Sequence, residues 1–279
     1  MRGRGESHGS ITVINAMPCG IGATIGVDLT TSAVFREGGD SHTVRILNDP
    51  SENTSMAEIC VRRAYEYAGL EEPRGWDLST ESQIPVSRGL KSSSTACNAI
   101  LRAVFSHIGT DVDPVGLIRL GVGCAREAGV TVTGAFDDAC GCGLGGFVMT
   151  DNSRDEILHR GDVDDLDVLI HVPRFKLRKR GLPLDALRAT APRMREVIDI
   201  AVDRPFEAMT MNGRIVSEVS GVDNSLAERA LALGALGAGM SGSGPAVAVV
   251  VPRGEGRRFA EELEMDPEET IHTVTRCGE

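Results

Sequence analysis

The most informative stretch of the chain reads Ile84-Pro85-Val86-Ser87-Arg88-Gly89-Leu90-Lys91-Ser92-Ser93-Ser94-Thr95-Ala96. A predicted strand runs into a glycine, which is followed by hydroxyl side chains and then by a predicted helix. Unpaired N–H groups and the helix dipole make a helix N-terminus attractive to anions. Gly89 permits close approach of the backbone to a phosphate, and Lys91 adds a positive charge. The pattern predicts a nucleotide phosphate site, and the plainer interpretation is a serine-rich helix cap.

The predicted phosphate site has a spacing of its own. It matches neither the GxxxxGK[ST] phosphate loop nor the GxGxxG dinucleotide-binding loop. The residues predicted to bind the nucleotide are Pro85, Val86, Ser87, Arg88, Gly89, Leu90, Lys91, Ser92, Ser93, Ser94 and Thr95.

Composition and charge argue against several classes of protein. Apolar residues make up 41% of the 279 residues, which suffices for a substantial core. A formal net charge of -11 disfavours binding to nucleic acid through its phosphates. The chain lacks both an apolar signal core near its start and an apolar run of the ~18 to 20 residues that span a bilayer, so we expect no membrane partner. Seven cysteines at scattered spacings predict reduced thiols and a cytoplasmic location.

The order of predicted elements indicates an α+β fold rather than a doubly wound parallel sheet. Strands are predicted where β-branched residues cluster, over residues 11–16, 25–35, 43–47, 79–86, 145–150, 166–172, 246–251 and 270–275. Helices are predicted over residues 53–68, 93–107, 114–128, 185–202, 204–212 and 255–264. The polar segment 151–165 indicates a boundary between lobes. We therefore predict an N-terminal ATP-binding domain over residues 1–155 and a C-terminal domain over residues 156–279.

Two further glycine-rich segments strengthen the functional interpretation. The first is Thr131-Val-Thr-Gly-Ala-Phe-Asp-Asp-Ala139, which precedes Gly145 and Gly146. The second is Gly237-Ala-Gly-Met-Ser-Gly-Ser-Gly-Pro245, which leads into the predicted strand 246–251. Each alone could be a structural turn. Three such segments in this order point to a shared functional site.

Together these segments resemble the motifs of the GHMP kinase superfamily. Its second motif, Pro-x-x-x-Gly-Leu-Gly-Ser-Ser-Ala, is matched by residues 85–93, except that Lys91 replaces a glycine. Its third motif is matched by residues 237–245, and its first falls within residues 9–22. Along nearly the whole chain the sequence resembles the archaeal shikimate kinase family of this superfamily. The particular marks are Gly-Leu-Lys-Ser-Ser-Ser at residues 89–94, Thr-Gly-Ala-Phe-Asp-Asp-Ala at 133–139, Ile-Asn-Ala at 14–16 and Ile-Gly-Val-Asp at 25–28.

The resemblance implies a two-lobed fold with a ribosomal-protein-like α/β N-terminal domain and a ferredoxin-like C-terminal domain. It also implies ATP-dependent phosphorylation of the 3-hydroxyl of shikimate, with ATP and Mg²⁺ bound. Two alternatives stay open, namely a GHMP kinase acting on homoserine or mevalonate and a non-catalytic small-molecule sensor of the same fold. The sequence predicts no particular oligomeric state.

Kinases of this superfamily hold Mg²⁺ with a loop serine and a helix glutamate. By resemblance Ser93 is the expected serine, with Ser92 and Ser94 as alternatives, and Glu127 is the expected glutamate. The plainer interpretation of Glu127 is a solvated carboxylate at a helix end.

An aspartate next to the acceptor hydroxyl is expected to act as base or electrostatic guide. The following Ala139 favours Asp137, whereas the distance to Gly145 and Gly146 favours Asp138, so both are candidates. The carboxylate of shikimate requires a cation as its partner. A basic run supplies candidates, although such a run is also typical of a solvated loop: Arg174, Lys176, Arg178, Lys179 and Arg180.

Overall fold

The computed structural model describes residues 2–85, 89–131, 134–174, 183–242 and 244–278. The strands within these residues are β1 (Arg2–Ile14), β2 (Ile21–Glu37), β3 (His42–Ile46), β4 (Trp76–Ser82), β5 (Phe147–Asp151), β6 (Glu156–Gly161), β7 (Leu166–His171), β8 (Gly237–Met240), β9 (Val247–Pro252) and β10 (Thr270–Val274). The α-helices are α1 (Ser55–Tyr67), α2 (Ser92–Ile108), α3 (Pro114–Glu127), α4 (Phe136–Leu144), α5 (Leu184–Ala189), α6 (Ala191–Ala201), α7 (Pro205–Ser220), α8 (Ser225–Ala232) and α9 (Gly256–Glu262).

These strands form two sheets. The first has the order β3-β4-β2-β5-β6, and β1 pairs with β2. Its neighbours are antiparallel except β3 and β4, which are parallel. The second sheet is antiparallel, in the order β10-β7-β9-β8. Helices pack against both sheets, which confirms the predicted α+β class.

The burial of side chains alternates along β2, and the buried face packs against helices of the first sheet. Ala33 and Phe35 are buried in a hydrophobic cluster with residues of α1 and α2. Ser32 and Val34, which point to the opposite face, are only partly buried. The strand itself was predicted from its cluster of Val, Thr and Ile residues.

β1 extends further towards the N-terminus than the sequence predicts. The predicted strand covers residues 11–16, whereas β1 begins at Arg2, because charges and glycines in its first half have low strand propensity. Gly3 and Gly5 are nevertheless suited to this place. A Cβ at either position would collide with the backbone of α2, at Ala103 and Ala99 respectively. Close packing of α2 against β1 therefore requires the same glycines whose low strand propensity kept this part of β1 from being predicted.

Two strands lie where other structure was predicted. β6 occupies part of the polar segment 151–165, where it pairs with β5 at the edge of the first sheet. β8 occupies the start of the glycine-rich segment 237–245. Gly239 in β8 lies against Gly213 of α7, and a Cβ on Gly213 would come within 2.7 Å of the Gly239 Cα. The glycines of β8 thus serve close helix–sheet packing.

The predicted helix over residues 185–202 is two helices, and α8 was not predicted. The break falls at Thr190, whose hydroxyl donates to the Leu187 carbonyl oxygen at 2.6 Å. Pro192 follows in the first turn of α6 and lacks the N–H that a continuous helix would use.

One hydrophobic cluster combines residues of both sheets. Ile11 and Ile25 of the first sheet belong to the same cluster as Val168 and Val250 of the second. The predicted division between residues 155 and 156 stays a prediction, and the pairing of β6 with β5 favours a division after Gly161 instead. Among the residues that the structure describes, no helix has both the length and the apolar character that crossing a membrane requires.

Candidate active site

The predicted phosphate site lies at the N-terminus of α2. Gly89 and Lys91 have φ angles of 83° and 66°, in the left-handed region, and α2 begins at Ser92. Ser92 and Ser93 are partly buried, and neither hydroxyl has a hydrogen-bond partner within the described residues. Free hydroxyls beside unpaired helix N–H groups are suitable donors to a phosphate.

Other members of the predicted nucleotide-binding stretch are placed differently. The Thr95 hydroxyl donates to the Lys91 carbonyl oxygen at 3.0 Å, and Leu90 belongs to the hydrophobic core. Val86, Ser87 and Arg88 lie outside the described residues, so their predicted roles stay predictions. Ser92 and Ser93 are therefore the best-placed side chains of this stretch for binding phosphate.

The glycine-rich segment 237–245 contacts the predicted phosphate site directly. The Ser241 hydroxyl donates to the Gly89 carbonyl oxygen at 3.1 Å. A Cβ at Gly89 would collide with the Ser241 carbonyl oxygen, so the contact requires a glycine there. The Gly242 N–H donates to Thr12 Oγ1 on β1 at 2.7 Å. Segments distant in sequence thus meet at one place.

The Lys91 ammonium lies at the centre of this meeting point. Its side chain is 3% exposed, and its Nζ lies 2.8 Å from Asp138 Oδ1 on α4. The same Nζ donates to Thr12 Oγ1 at 2.6 Å. Lys91 was predicted as a charge for the nucleotide phosphates, and in the structure that charge is bonded to one of the two candidate aspartates.

The two candidate aspartates occupy different environments. The Asp138 side chain is 22% exposed and pairs with Lys91. Asp137 is buried, and its Oδ1 accepts from Asn152 Nδ2 at 2.7 Å. Burial, followed by the charge of Asp138, raises the pKa of Asp137 to about 7, although Lys91 and Asn152 act in the opposite direction. This difference separates two residues that the sequence leaves equivalent.

Glu127, predicted to bind Mg²⁺, lies in a separate group of charges. Its Oε1 accepts from Arg62, and its Oε2 accepts from Arg63 Nε at 2.9 Å, both on α1. These hydrogen bonds, that of Arg63 first, lower the pKa of Glu127. A cation at this carboxylate would compete with the two guanidinium groups for its oxygens.

The oxygen atoms of Ser93 and Glu127 are of the kind that Mg²⁺ takes as ligands. In the described part of the chain, no group of three His, Cys, Asp or Glu side chains is placed to hold a metal ion. Mg²⁺ commonly takes only one or two protein carboxylates, together with substrate phosphates and waters. The free hydroxyl of Ser93 meets the same requirement for an oxygen ligand.

The predicted cations for the acceptor carboxylate are only partly described. Arg174 is occupied on the surface, where it pairs with Glu268 at 2.5 Å and with Glu269 at 3.1 Å. Lys176, Arg178, Lys179 and Arg180 lie outside the described residues, and their role stays a prediction.

Two side chains of the site had no sequence signal. Thr12 resembles any threonine in a β-branched strand, and Asn152 resembles any polar residue after a strand. Thr12 accepts from Lys91 and from Gly242, while Asn152 is buried against Asp137. Only their contacts reveal them, because single polar residues carry no periodic pattern.

Comparison with known proteins shows the superfamily to which the chain is related. The family model "GHMP kinases N terminal domain" matches residues 55–146, and "GHMP kinases C terminal" matches residues 201–266. The mevalonate kinase of Methanococcus jannaschii has a similar fold, with a TM-score of 0.82 over 100% of this chain and 99% of that one, at 14% identity. The fold and the site therefore define a kinase that uses ATP to phosphorylate a small molecule.

Relatives of known name are more similar in sequence. A shikimate kinase of Methanosarcina acetivorans is 38% identical over 252 residues, covering 89% of this chain and 85% of the relative. A shikimate kinase of Pyrococcus furiosus is 35% identical over 262 residues, covering 91% and 93%. The chain belongs to the archaeal shikimate kinase family of the GHMP kinase superfamily.

Proposed function

We propose that this chain catalyses the ATP-dependent phosphorylation of the 3-hydroxyl of shikimate, which yields shikimate 3-phosphate and ADP. The observation that carries the proposal is the ion pair between the buried Lys91 and the partly exposed Asp138, beside the N-terminus of α2. Phosphoryl transfer needs positioning and charge neutralisation more than covalent chemistry from the protein. The site offers donors for phosphates and a carboxylate for the acceptor hydroxyl.

The proposed step is a direct transfer. The acceptor oxygen forms a bond to the γ-phosphorus of ATP while the bond from that phosphorus to the ADP oxygen breaks. Asp138 accepts the hydroxyl proton and ends the step protonated. We assign this role to Asp138 because it is partly exposed, whereas Asp137 is buried and bonded to Asn152.

Lys91 has two tasks in this proposal. Its ammonium holds the Asp138 carboxylate at 2.8 Å and so orients the base. A positive charge in a buried site also stabilises the negative charge that develops on the transferred group. Thr12 keeps the ammonium in position by accepting its second hydrogen bond at 2.6 Å.

We propose Ser93 and Glu127 as the protein ligands of Mg²⁺. When bound, Mg²⁺ neutralises charge on the β- and γ-phosphates. Ser93 follows directly on the first residue of α2 and has no partner within the described residues. Glu127 takes this role when Arg62 or Arg63 releases it.

The choice of acceptor rests on the named relatives and on the family resemblance, because a phosphate site does not recognise the acceptor. The reaction belongs to chorismate and aromatic amino-acid biosynthesis. We place it in the cytoplasm, a reducing compartment that suits the seven free thiols of the chain.

A coupled ADP-release assay tests the proposed function. Purified protein is given shikimate, homoserine or mevalonate in separate reactions, each with Mg²⁺ or with EDTA. We expect ADP release with shikimate and Mg²⁺ only. Turnover with homoserine or mevalonate but not shikimate would overturn the substrate and leave the kinase class intact. Absence of turnover with all three would contradict the proposed activity.

A further inference from the structure

The side-chain amide of Asn152 makes three hydrogen bonds next to the site. It follows β5 directly and is 2% exposed. Its Oδ1 accepts from the Asp137 backbone N–H at 3.0 Å and from the Thr150 hydroxyl at 2.8 Å. Its Nδ2 donates to Asp137 Oδ1 at 2.7 Å. One amide therefore binds both the backbone and the side chain of Asp137.

Asp137 is held from other sides as well. The Thr24 hydroxyl on β2 donates to the Asp137 carbonyl oxygen at 3.0 Å. Gly22, also on β2, lies so close that a Cβ there would collide with the Asp137 carboxylate. Asp137 and Asp138 are consecutive residues in the first turn of α4. Whatever fixes Asp137 therefore fixes the backbone from which the Asp138 side chain reaches Lys91.

We propose that Asn152 is a positioning residue that acts through Asp137. It holds the first turn of α4 so that the Asp138 carboxylate stays in contact with Lys91. The proposal rests on the proposed function, since Asp138 matters only if it takes part in phosphoryl transfer. The Asn152 amide bonds to Asp137 and Thr150, so its effect on Asp138 passes through Asp137.

The chemistry of the contact explains why an amide is needed. An amide presents an acceptor to the Asp137 N–H and a donor to the Asp137 carboxylate at the same time. A carboxylate at position 152 would keep the acceptor but would face the Asp137 carboxylate in a buried place, where Asp138 already adds negative charge and Lys91 is the facing cation. An apolar side chain would leave both groups unpaired.

The test uses a single exchange and its reversal. Asn152→Asp places two carboxyl groups together, and we expect kcat to fall by about 10²-fold with little change in the KM for ATP, as displaced reacting groups do. The double variant Asp137→Asn/Asn152→Asp restores one amide facing one carboxylate. We expect it to recover kcat to within about tenfold of the wild type, as coupled neighbours do.

Two further variants complete the design. Thr150→Val removes one bond to Asn152 Oδ1 without adding charge, and a smaller loss of kcat is expected. Asn48→Ala is the matched control, because Asn48 also accepts a backbone N–H, that of Ser82 at 2.6 Å, but lies on the surface. This control should keep wild-type kcat. Melting curves for every variant separate loss of fold from loss of rate.

The outcomes distinguish positioning from the proposed function. Suppose that the wild type phosphorylates shikimate. An unchanged kcat in folded Asn152→Asp or Thr150→Val would then overturn the positioning role and leave the proposed function standing. Failure of the double variant to recover overturns it equally. If the wild type does not phosphorylate shikimate, the function fails, and a crystal structure of Asn152→Asp decides positioning alone. An unchanged distance from Lys91 Nζ to Asp138 Oδ1 would then overturn it.

Discussion

Two groups of charged side chains in the first lobe use similar residues in different surroundings. Lys91 and Asp138 meet inside the protein, where the Lys91 side chain is 3% exposed. Glu127 meets Arg62 and Arg63 at the surface, where these side chains are 33%, 37% and 45% exposed. Both groups contain short ion pairs, and each includes a residue that the sequence offered as a candidate: Lys91 and Asp138 in the first, Glu127 in the second.

The difference lies in what burial costs. An exposed ion pair typically contributes about 0–1 kcal/mol to stability and is screened by salt. A buried pair must repay desolvation of both charges, and replacing it by apolar residues is often neutral or stabilising. A buried Lys–Asp pair is therefore poorly explained by stability alone. Its position beside the N-terminus of α2 supplies a chemical reason for it.

The largest effect should come from Asp138, the proposed proton acceptor. Asp138→Asn keeps the shape of the side chain and removes the proton acceptor, so we expect kcat with shikimate to fall by about 10²- to 10⁴-fold. Affinity for a non-hydrolysable ATP analogue, measured by isothermal titration, should change little. Asp137→Asn is the neighbouring control and should retain most of the activity. The opposite pattern would assign the chemistry to Asp137.

Loss of the buried Lys91 ammonium should have the second largest effect. Lys91→Gly removes the ammonium while placing glycine at a φ of 66°, a conformation that costs other residues about 1–2 kcal/mol. We expect kcat to fall by roughly 10²- to 10³-fold, as on removal of a preorganised charge donor. The loop backbone should stay intact, which a melting curve verifies. Full activity in the folded variant would show that the Lys91 charge is dispensable.

The surface group should give a smaller and more specific effect. If Glu127 binds Mg²⁺ as proposed, Glu127→Gln should raise the Mg²⁺ concentration for half-maximal rate by about tenfold. Arg63→Ala frees one carboxylate oxygen of Glu127. The Mg²⁺ concentration for half-maximal rate should therefore not rise in this variant. Stability should change little in either variant, because these ion pairs lie at the surface and are screened by solvent. An unaltered Mg²⁺ requirement in Glu127→Gln would leave Glu127 as a surface ion pair only.

The smallest effect concerns Asp137 and appears in stability rather than in rate. Burial raises the pKa of Asp137 to about 7 in the folded state. Between the ordinary pKa of an aspartate and about 7, the folded state therefore keeps a proton on Asp137 that the unfolded state has lost. Stability from this group is complete below pH ~4 and is lost as pH rises through about 7. Asp137→Asn cannot titrate, so the melting temperature of the wild type should fall more between pH 5 and pH 8 than that of the variant, by about 2 °C or more. Equal slopes would contradict the raised pKa.

Local patterns predicted most of the fold. The strands 43–47, 166–172 and 270–275 and the helices 53–68, 93–107 and 114–128 all exist within a few residues of their predicted ends. Each has a regular apolar period or a clear stop signal. Helix α8 was missed, and so were three stretches of strand. These stretches, the first half of β1 and the whole of β6 and β8, are rich in glycine or charge. They form because neighbouring elements pair with them or pack closely against them, which local propensity does not encode.

By itself the sequence determined the α+β class, and it predicted an anion site at the N-terminus of α2 and a short set of candidate acids. Those conclusions depend on neighbours along the chain, where glycine, hydroxyls and helix period can be read directly. Tertiary structure alone decided that Lys91 meets Asp138, that Asp137 is enclosed by Gly22 and Asn152, and that Glu127 faces two arginines. Ionic and hydrogen-bonded contacts between distant segments depend on burial and on distances of about 3 Å, and only the packed chain sets both.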